Sequence, residues 1–301
     1  MSKTLSLLTA SVLLFVGASG IAQAQNLRIR PLKTIYVDAK GSAMRIPQGV
    51  TYDGVSQLVV SDTGNRRLLV FSLTDDAAVP TFEMRLREVT YPTRVKFEPS
   101  GTILVLDGKS HRIARVTTGG EFQGYVELAS DGGQDPVIKS FDVDSEGNLW
   151  VLDVANGRIV VVGPDGDSSR TIATPAEARF LSDLTVSSSG AVFVVDSVGR
   201  RVFVARKGDP AASALGDGLE EDVEFPTCIV VDSASGVLFI ADQYGGGIVV
   251  LGQDGSFHGR QSSMGWKKGY LRYPSDLSAA GGYLFVADRE NNRVQWFEVV
   301  Q

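Results

Sequence analysis

Leu284-Phe285-Val286-Ala287-Asp288-Arg289-Glu290-Asn291-Asn292-Arg293-Val294 is a short apolar run closed by Asp, then a polar turn, then the start of a second apolar run. Apolar runs ending in Asp recur five more times, at Leu58-Val59-Val60-Ser61-Asp62, Ile103-Leu104-Val105-Leu106-Asp107, Leu149-Trp150-Val151-Leu152-Asp153, Val192-Phe193-Val194-Val195-Asp196 and Leu238-Phe239-Ile240-Ala241-Asp242. Successive aspartates lie 45, 46, 43, 46 and 46 residues apart. A fixed period of this size marks a chain built from repeated supersecondary units. The runs are short, rich in Val, Ile, Leu and Phe, and separated by Gly, Pro, Ser and Asp turns, which is strand chemistry. No helix-length periodic segment interrupts them. Four strands fit one period, so the sequence predicts an all-β, six-bladed β-propeller of four-stranded blades.

The chain ends sharpen this topology. The sixth unit runs out after three strands, while an orphan strand-like run, Lys33-Thr34-Ile35-Tyr36-Val37-Asp38, precedes the first. Pairing the orphan into the last blade closes the ring and covers an otherwise open edge. Ahead of it, Lys3, an apolar stretch over 5–16 and the small-x-small triplet Ala22-Gln23-Ala24 read as a cleavable signal peptide. The expected division is therefore 1–24 leader and 25–301 a single propeller. No cysteine near the cleavage site offers a lipid anchor, and no later apolar stretch is long enough to span a membrane. The expectation is a monomeric periplasmic or secreted protein.

Composition removes other classes. There are 29 Lys+Arg against 35 Asp+Glu, or 28 against 35 and a net charge of −7 once Lys3 leaves with the leader. That balance argues against nucleic acid as a partner, since phosphate neutralisation needs a cationic surface. One cysteine rules out an intramolecular disulfide, and two histidines rule out a three-His zinc site.

The turns read Asp-x-x-Asn-x-Arg-aliphatic at Asp62, Asn65, Arg67 and Leu68, at Asp153, Asn156, Arg158 and Ile159, and at Asp288, Asn291, Arg293 and Val294. This pattern resembles the NHL repeat. The 259–277 stretch, with Gly265, Gly269, Tyr273 and Pro274, is similar to that family's glycine-spaced approach to a Pro-led first strand. Units two, four and five depart from the pattern, with Ser110 and Arg112, Gly199 and Arg201, and Gly245-Gly246-Gly247; the Asp persists in all six. An Asp closing a strand can accept N–H bonds across the turn, and an Arg five residues on can pair with it. The six aspartates are therefore expected to hold turns rather than to act as ligands. The three glycines after Tyr244 are expected to make a mobile turn.

Alternation along each first strand separates two faces. Val50, Tyr52, Val95, Phe97, Phe141, Val143, Leu184, Val186, Ile229, Val231, Leu277 and Ala279 should pack between blades. The opposite parity should line the central channel in two layers, Gly49, Arg94, Ser140, Asp183, Cys228 and Asp276, then Thr51, Lys96, Asp142, Thr185, Val230 and Ser278. Arg94, Lys96, Asp142, Asp183 and Asp276 would converge there, either as a self-compensating lining or as a site at the channel mouth. If a metal binds, Asp142, Asp183 and Asp276 are its ligands, and oxygen-only donors suit Ca2+; otherwise no cofactor is expected.

The second candidate surface is the face of the Asp turns. Tyr244, Trp266, Tyr270, Arg272, Arg66 and Arg289 gather there and suit a protein, peptide or glycan partner. No G-x-S-x-G elbow, H-E-x-x-H helix or phosphate-cradling loop is present, so the motifs favour an exported binding or scaffolding module over an enzyme. The resemblance implies the alternative, a metal-dependent lyase or lactonase-like enzyme using channel-mouth carboxylates. The acidic segment 220–224 reads as a solvated loop, and Cys228 as a small buried residue.

Overall fold

The computed structural model describes residues 27–75, 77–128 and 133–300; the leader read over 1–24 lies outside them. Six four-stranded antiparallel sheets stand around an axis, each a meander whose first strand is innermost. The inner strands are Gly49–Tyr52, Pro92–Phe97, Ile138–Val143, Leu181–Val186, Pro226–Val231 and Pro274–Ala280. Each packs against the inner strand of the next blade, and the sixth packs against the first, so the ring is closed.

Closure is made by the N-terminal strand Arg28–Ile35, which pairs antiparallel with Arg293–Val300 in the sixth sheet. It begins five residues earlier than the orphan run suggested. A register shift between Pro31 and Lys33 lets proline, which lacks an N–H, sit in the outer strand without breaking the ladder. Past Ile35 the chain turns away. Val37 makes an isolated bridge to Ala43, and Asp38 is buried against Arg67.

Apolar residues of the expected parity fill six separate clusters, one per blade interface, for example Val50 with Leu58, Phe285 and Trp296, and Ile229 with Phe193, Leu238 and Ile240. All twelve inner-strand positions named above for packing fall in these clusters. The acidic segment 220–224 exposes Glu220, Glu221 and Glu224, as a solvated loop does. Leu219 and Val223 are buried between blades four and five and anchor it from beneath. Among the described residues no helix is long and apolar enough to cross a membrane.

Candidate functional site in the axial channel

The six turn aspartates are all buried, at 0 or 1 % exposure. Each reaches back across its own blade to the loop leading into the inner strand. Asp62 Oδ1 accepts the Arg45 N–H (2.7 Å), and Asp288 Oδ1 accepts the Arg272 N–H (2.7 Å). The other oxygen takes the motif's Asn and Arg, as in Asn291 Nδ2 (2.9 Å) and Arg293 Nε (2.6 Å) on Asp288. Where these partners are missing, the backbone or a distant residue replaces them. Asp107 accepts N–H bonds from Thr90, Tyr91, Lys109 and Ser110, which outweigh burial and hold its carboxyl below the usual range.

In blade five the guanidinium of Arg260, on the outer strand, pairs with Asp242 (2.8 Å). A Cβ on Gly245 or Gly247 would collide with that guanidinium. The glycine run therefore makes room for a charge rather than a mobile turn.

The two predicted channel layers are present; Asp183 and Asp276 lie within the channel, whereas Asp142 borders its wider mouth. In the middle layer Arg94 Nη1 bonds Asp276 Oδ1 and lies 3.2 Å from Asp183 Oδ2. Cys228 Sγ donates to Asp276 (3.3 Å), and Ser140 donates to Asp183. The remaining oxygens accept backbone N–H groups of the following blade, Asp276 from Val50 (2.9 Å) and Asp183 from Ile229 (2.9 Å). In the next layer Lys96 Nζ lies 3.1 Å from Asp142 Oδ1, while Asp142 Oδ2 accepts Thr185 Oγ1 and the Val186 N–H, both at 3.0 Å. These carboxylates thus stitch one inner strand to the next.

Burial opposes charge on Arg94 and Lys96, but the facing carboxylates overcome it and keep both protonated. Burial pushes the Asp276 carboxyl up against the opposing pull of Arg94 and Lys96, and pushes the Cys228 thiol well up, with Asp183 and Asp276 adding to it.

Ligand atoms of Asp183, Cys228 and Asp276 all lie within 4.8 Å of one another, close enough for a metal trio. Arg94 already fills that position with its own cation. Calcium needs six to eight oxygens around an open centre, whereas every oxygen of Asp142, Asp183 and Asp276 is engaged by a protein donor. The residues present do not fit a divalent cation.

Sequence alternation missed a third layer. In blades two to six the inner strand carries a register shift between Pro92 and Arg94, Ile138 and Ser140, Leu181 and Asp183, Pro226 and Cys228, and Pro274 and Asp276. A bulge inserts one residue and re-aims its side chain. The inserted residues, Thr93, Lys139, Ser182, Thr227 and Ser275, together with Gln48, line one mouth of the channel, a cavity of about 290 Å3 that also receives Phe180, Gln243 and Arg289. The opposite mouth is wider, about 590 Å3, and is bordered by Asp53, Glu98, Asp142, Asp144 and several serines. The Arg94 layer, 8 % exposed or less where it carries polar side chains, separates the two.

The rim residues divide between two places. Tyr244 stacks on Phe225 (4.7 Å) and meets Tyr273 edge-on (5.8 Å), and Arg289 lies over Tyr273, all beside the narrow mouth. Tyr270 borders an outer groove with Lys268, Ile29 and Pro31. Trp266 is 74 % exposed. Arg66 takes a positive φ at the end of its turn, and the backbone of Arg272 is held by Asp288. His111 Nδ1 sits 3.3 Å from the Ile138 carbonyl at the narrow mouth, whereas His258 bonds Ser256 in an outer hairpin, so the two histidines do not converge.

Residues 271–297 match the NHL repeat family model. No curated protein matches the sequence significantly. Among solved structures the chain is similar to virginiamycin B lyase from Staphylococcus aureus (12 % identity, 91 % of this chain and 100 % of that one, TM-score 0.61). It is also similar to a gluconolactonase from Xanthomonas campestris (14 %, 90 % and 95 %, 0.65) and to the calcium-binding protein regucalcin from Agrobacterium tumefaciens (15 %, 89 % and 95 %, 0.63). Identities this low show the fold alone. From its turn geometry, its closed ring and the matched segment, the chain is a six-bladed β-propeller that carries an NHL repeat at 271–297.

Proposed function

We propose that the protein works at its axial channel on a small polar molecule. The observation that carries this reading is the pair of concave mouths on the axis, each lined by polar and apolar side chains together, which is where a rigid propeller offers convergent side chains. Similar folds include a lyase and a gluconolactonase, which supports extending the reading to catalysis and makes lactones and cyclic esters the first compounds to test. That support puts the enzyme reading at least level with the scaffold reading. The metal-dependent form is not retained, because Arg94 and Lys96 neutralise the carboxylates it would need. A leader-like 1–24 segment supports action in the periplasm or outside the cell.

Display of the rim to a protein, peptide or glycan is the second reading, supported by Trp266 and Tyr244 standing 74 % and 48 % exposed. The two separate in one experiment, a thermal-shift screen of lactones, hydroxy acids and short peptides on wild type and on a Trp266→Ala/Tyr270→Ala variant, which leaves both mouths intact. A ligand at a hundred times its Kd stabilises by about 2.7 kcal/mol. The channel reading expects compounds that raise the melting temperature of both proteins equally. Stabilisation confined to wild type would transfer the function to the rim, and no stabilisation by any compound would sink the channel reading.

A further inference from the structure

The bulge ring at the narrow mouth has one member unlike the rest. Ser275 donates to the Pro47 carbonyl (3.1 Å), Thr93 to Leu106 (3.2 Å), and Thr227 and Ser182 make longer bonds of the same kind (3.5 Å each). Their hydroxyls are thus turned to the backbone. Gln48 donates its amide to Tyr91 Oη (3.0 Å). The Lys139 side chain makes no hydrogen bond or ion pair with any described residue; its ammonium lies 4.9 Å from the centre of the Phe180 ring.

The nearest carboxylate layer is committed elsewhere, since Asp183 serves Arg94, Ser140 and the Ile229 N–H. Among the described residues no Asp or Glu lines this mouth, although the chain as a whole carries net negative charge. Half-buried ammonium groups are ordinarily paired. Here the fold places one on a bulge, aims it into a cavity, and gives it no ion pair with any described residue. Burial pushes the Lys139 ammonium toward loss of its proton and Arg94 below adds to this, outweighing the attraction of Asp183, so a bound anion would relieve both.

We infer that the narrow mouth is an anion site in which Lys139, above the Arg94 floor, receives the carboxylate or phosphate group of a small molecule. The Phe180 and Phe225 rings flank the cavity and would cover the apolar part of such a ligand. Gln243 supplies a further amide at the wall. This inference rests on the channel reading and specifies which mouth is used and by what charge.

The test uses the full chain with 13C-methylated lysines, titrated separately with inorganic phosphate and with citrate and followed by NMR, alongside calorimetry of Lys139→Met and Lys139→Arg. The expected result is a selective shift of the Lys139 resonance, at least tenfold weaker binding in Lys139→Met, and recovery to within about threefold in Lys139→Arg. Response to citrate alone assigns a carboxylate ligand, and response to phosphate alone assigns a phosphate ligand. Binding that is equal in wild type and Lys139→Met would overturn the inference and leave the channel reading standing. Failure of both anions to bind, with lactones or other neutral compounds still stabilising the protein, would also overturn it and move the site to the wide mouth.

Discussion

Arg94 decides what the middle of the channel is. Asp183, Cys228 and Asp276 offer three soft-to-hard donors within metal-binding reach, and the guanidinium stands where an ion would. Removing one partner of a buried ion pair leaves uncompensated charge, at a cost of about 3–5 kcal/mol. Arg94→Ala should therefore lose about that much in chemical denaturation. The vacated trio should also acquire a property the wild type lacks, stabilisation by Zn2+, because a metal favours the thiolate that burial and the carboxylates now suppress. A melting temperature that responds to Zn2+ in neither protein would count against the trio's geometry.

At the scale of the element, the same turn is built three ways. Blades one, three and six use Asn and Arg from the motif, blades two and four use extra backbone N–H groups, and blade five imports Arg260 from its outer strand. Arg260→Ala should thus cost about 2 kcal/mol, since it empties a charged bond to a fully buried carboxylate. Arg112→Ala should cost under about 1 kcal/mol, because Arg112 occupies the motif position yet among the described residues pairs only with exposed Glu127 and the Tyr125 ring. Equal losses by denaturant titration would mean that the imported arginine does not do the motif's task.

The repeat period, the blade-packing parity and both channel layers were legible because alternation and spacing survive in the sequence. The third layer was not. A bulge adds one residue, so Thr93 and Lys139 sit out of phase with every period-two reading, and nothing in Pro92-Thr93-Arg94 or Ile138-Lys139-Ser140 marks the insertion beyond its recurrence at the same place in five units. Arg260 was equally hidden, since its partner lies 18 residues away and the glycines that admit it read as slack.

For the whole molecule, closure depends on where the N-terminal strand is tied. Asp38 leaves that strand and meets Arg67 of the first blade (2.6 Å), which also holds Asp62 and Glu83, so the last blade is joined to the first by charge as well as by the chain that runs from one into the other. Burial would raise the Asp38 pKa, but the Ser42 N–H, the Arg67 guanidinium and the Lys40 N–H outweigh it and lower it from 3.8 to about 2. A folded-state pKa below the unfolded one adds stability that is complete above the unfolded value and drains away as pH falls through the folded one. Wild type should therefore lose melting temperature between pH 4 and 2 more steeply than Asp38→Asn, and parallel slopes would remove Asp38 from the closure.

The sealed Arg94 layer has a consequence for stoichiometry. A hole running through the ring would make its two ends compete for one occupant, but a plugged axis makes them separate rooms with walls of different charge, acidic on the wide side and cationic on the narrow. Two molecules of opposite sign fit at once, one in each room, and because Lys96 on the wide side and Asp276 of the plug act on each other, filling one room should shift the isotherm of the other rather than compete with it.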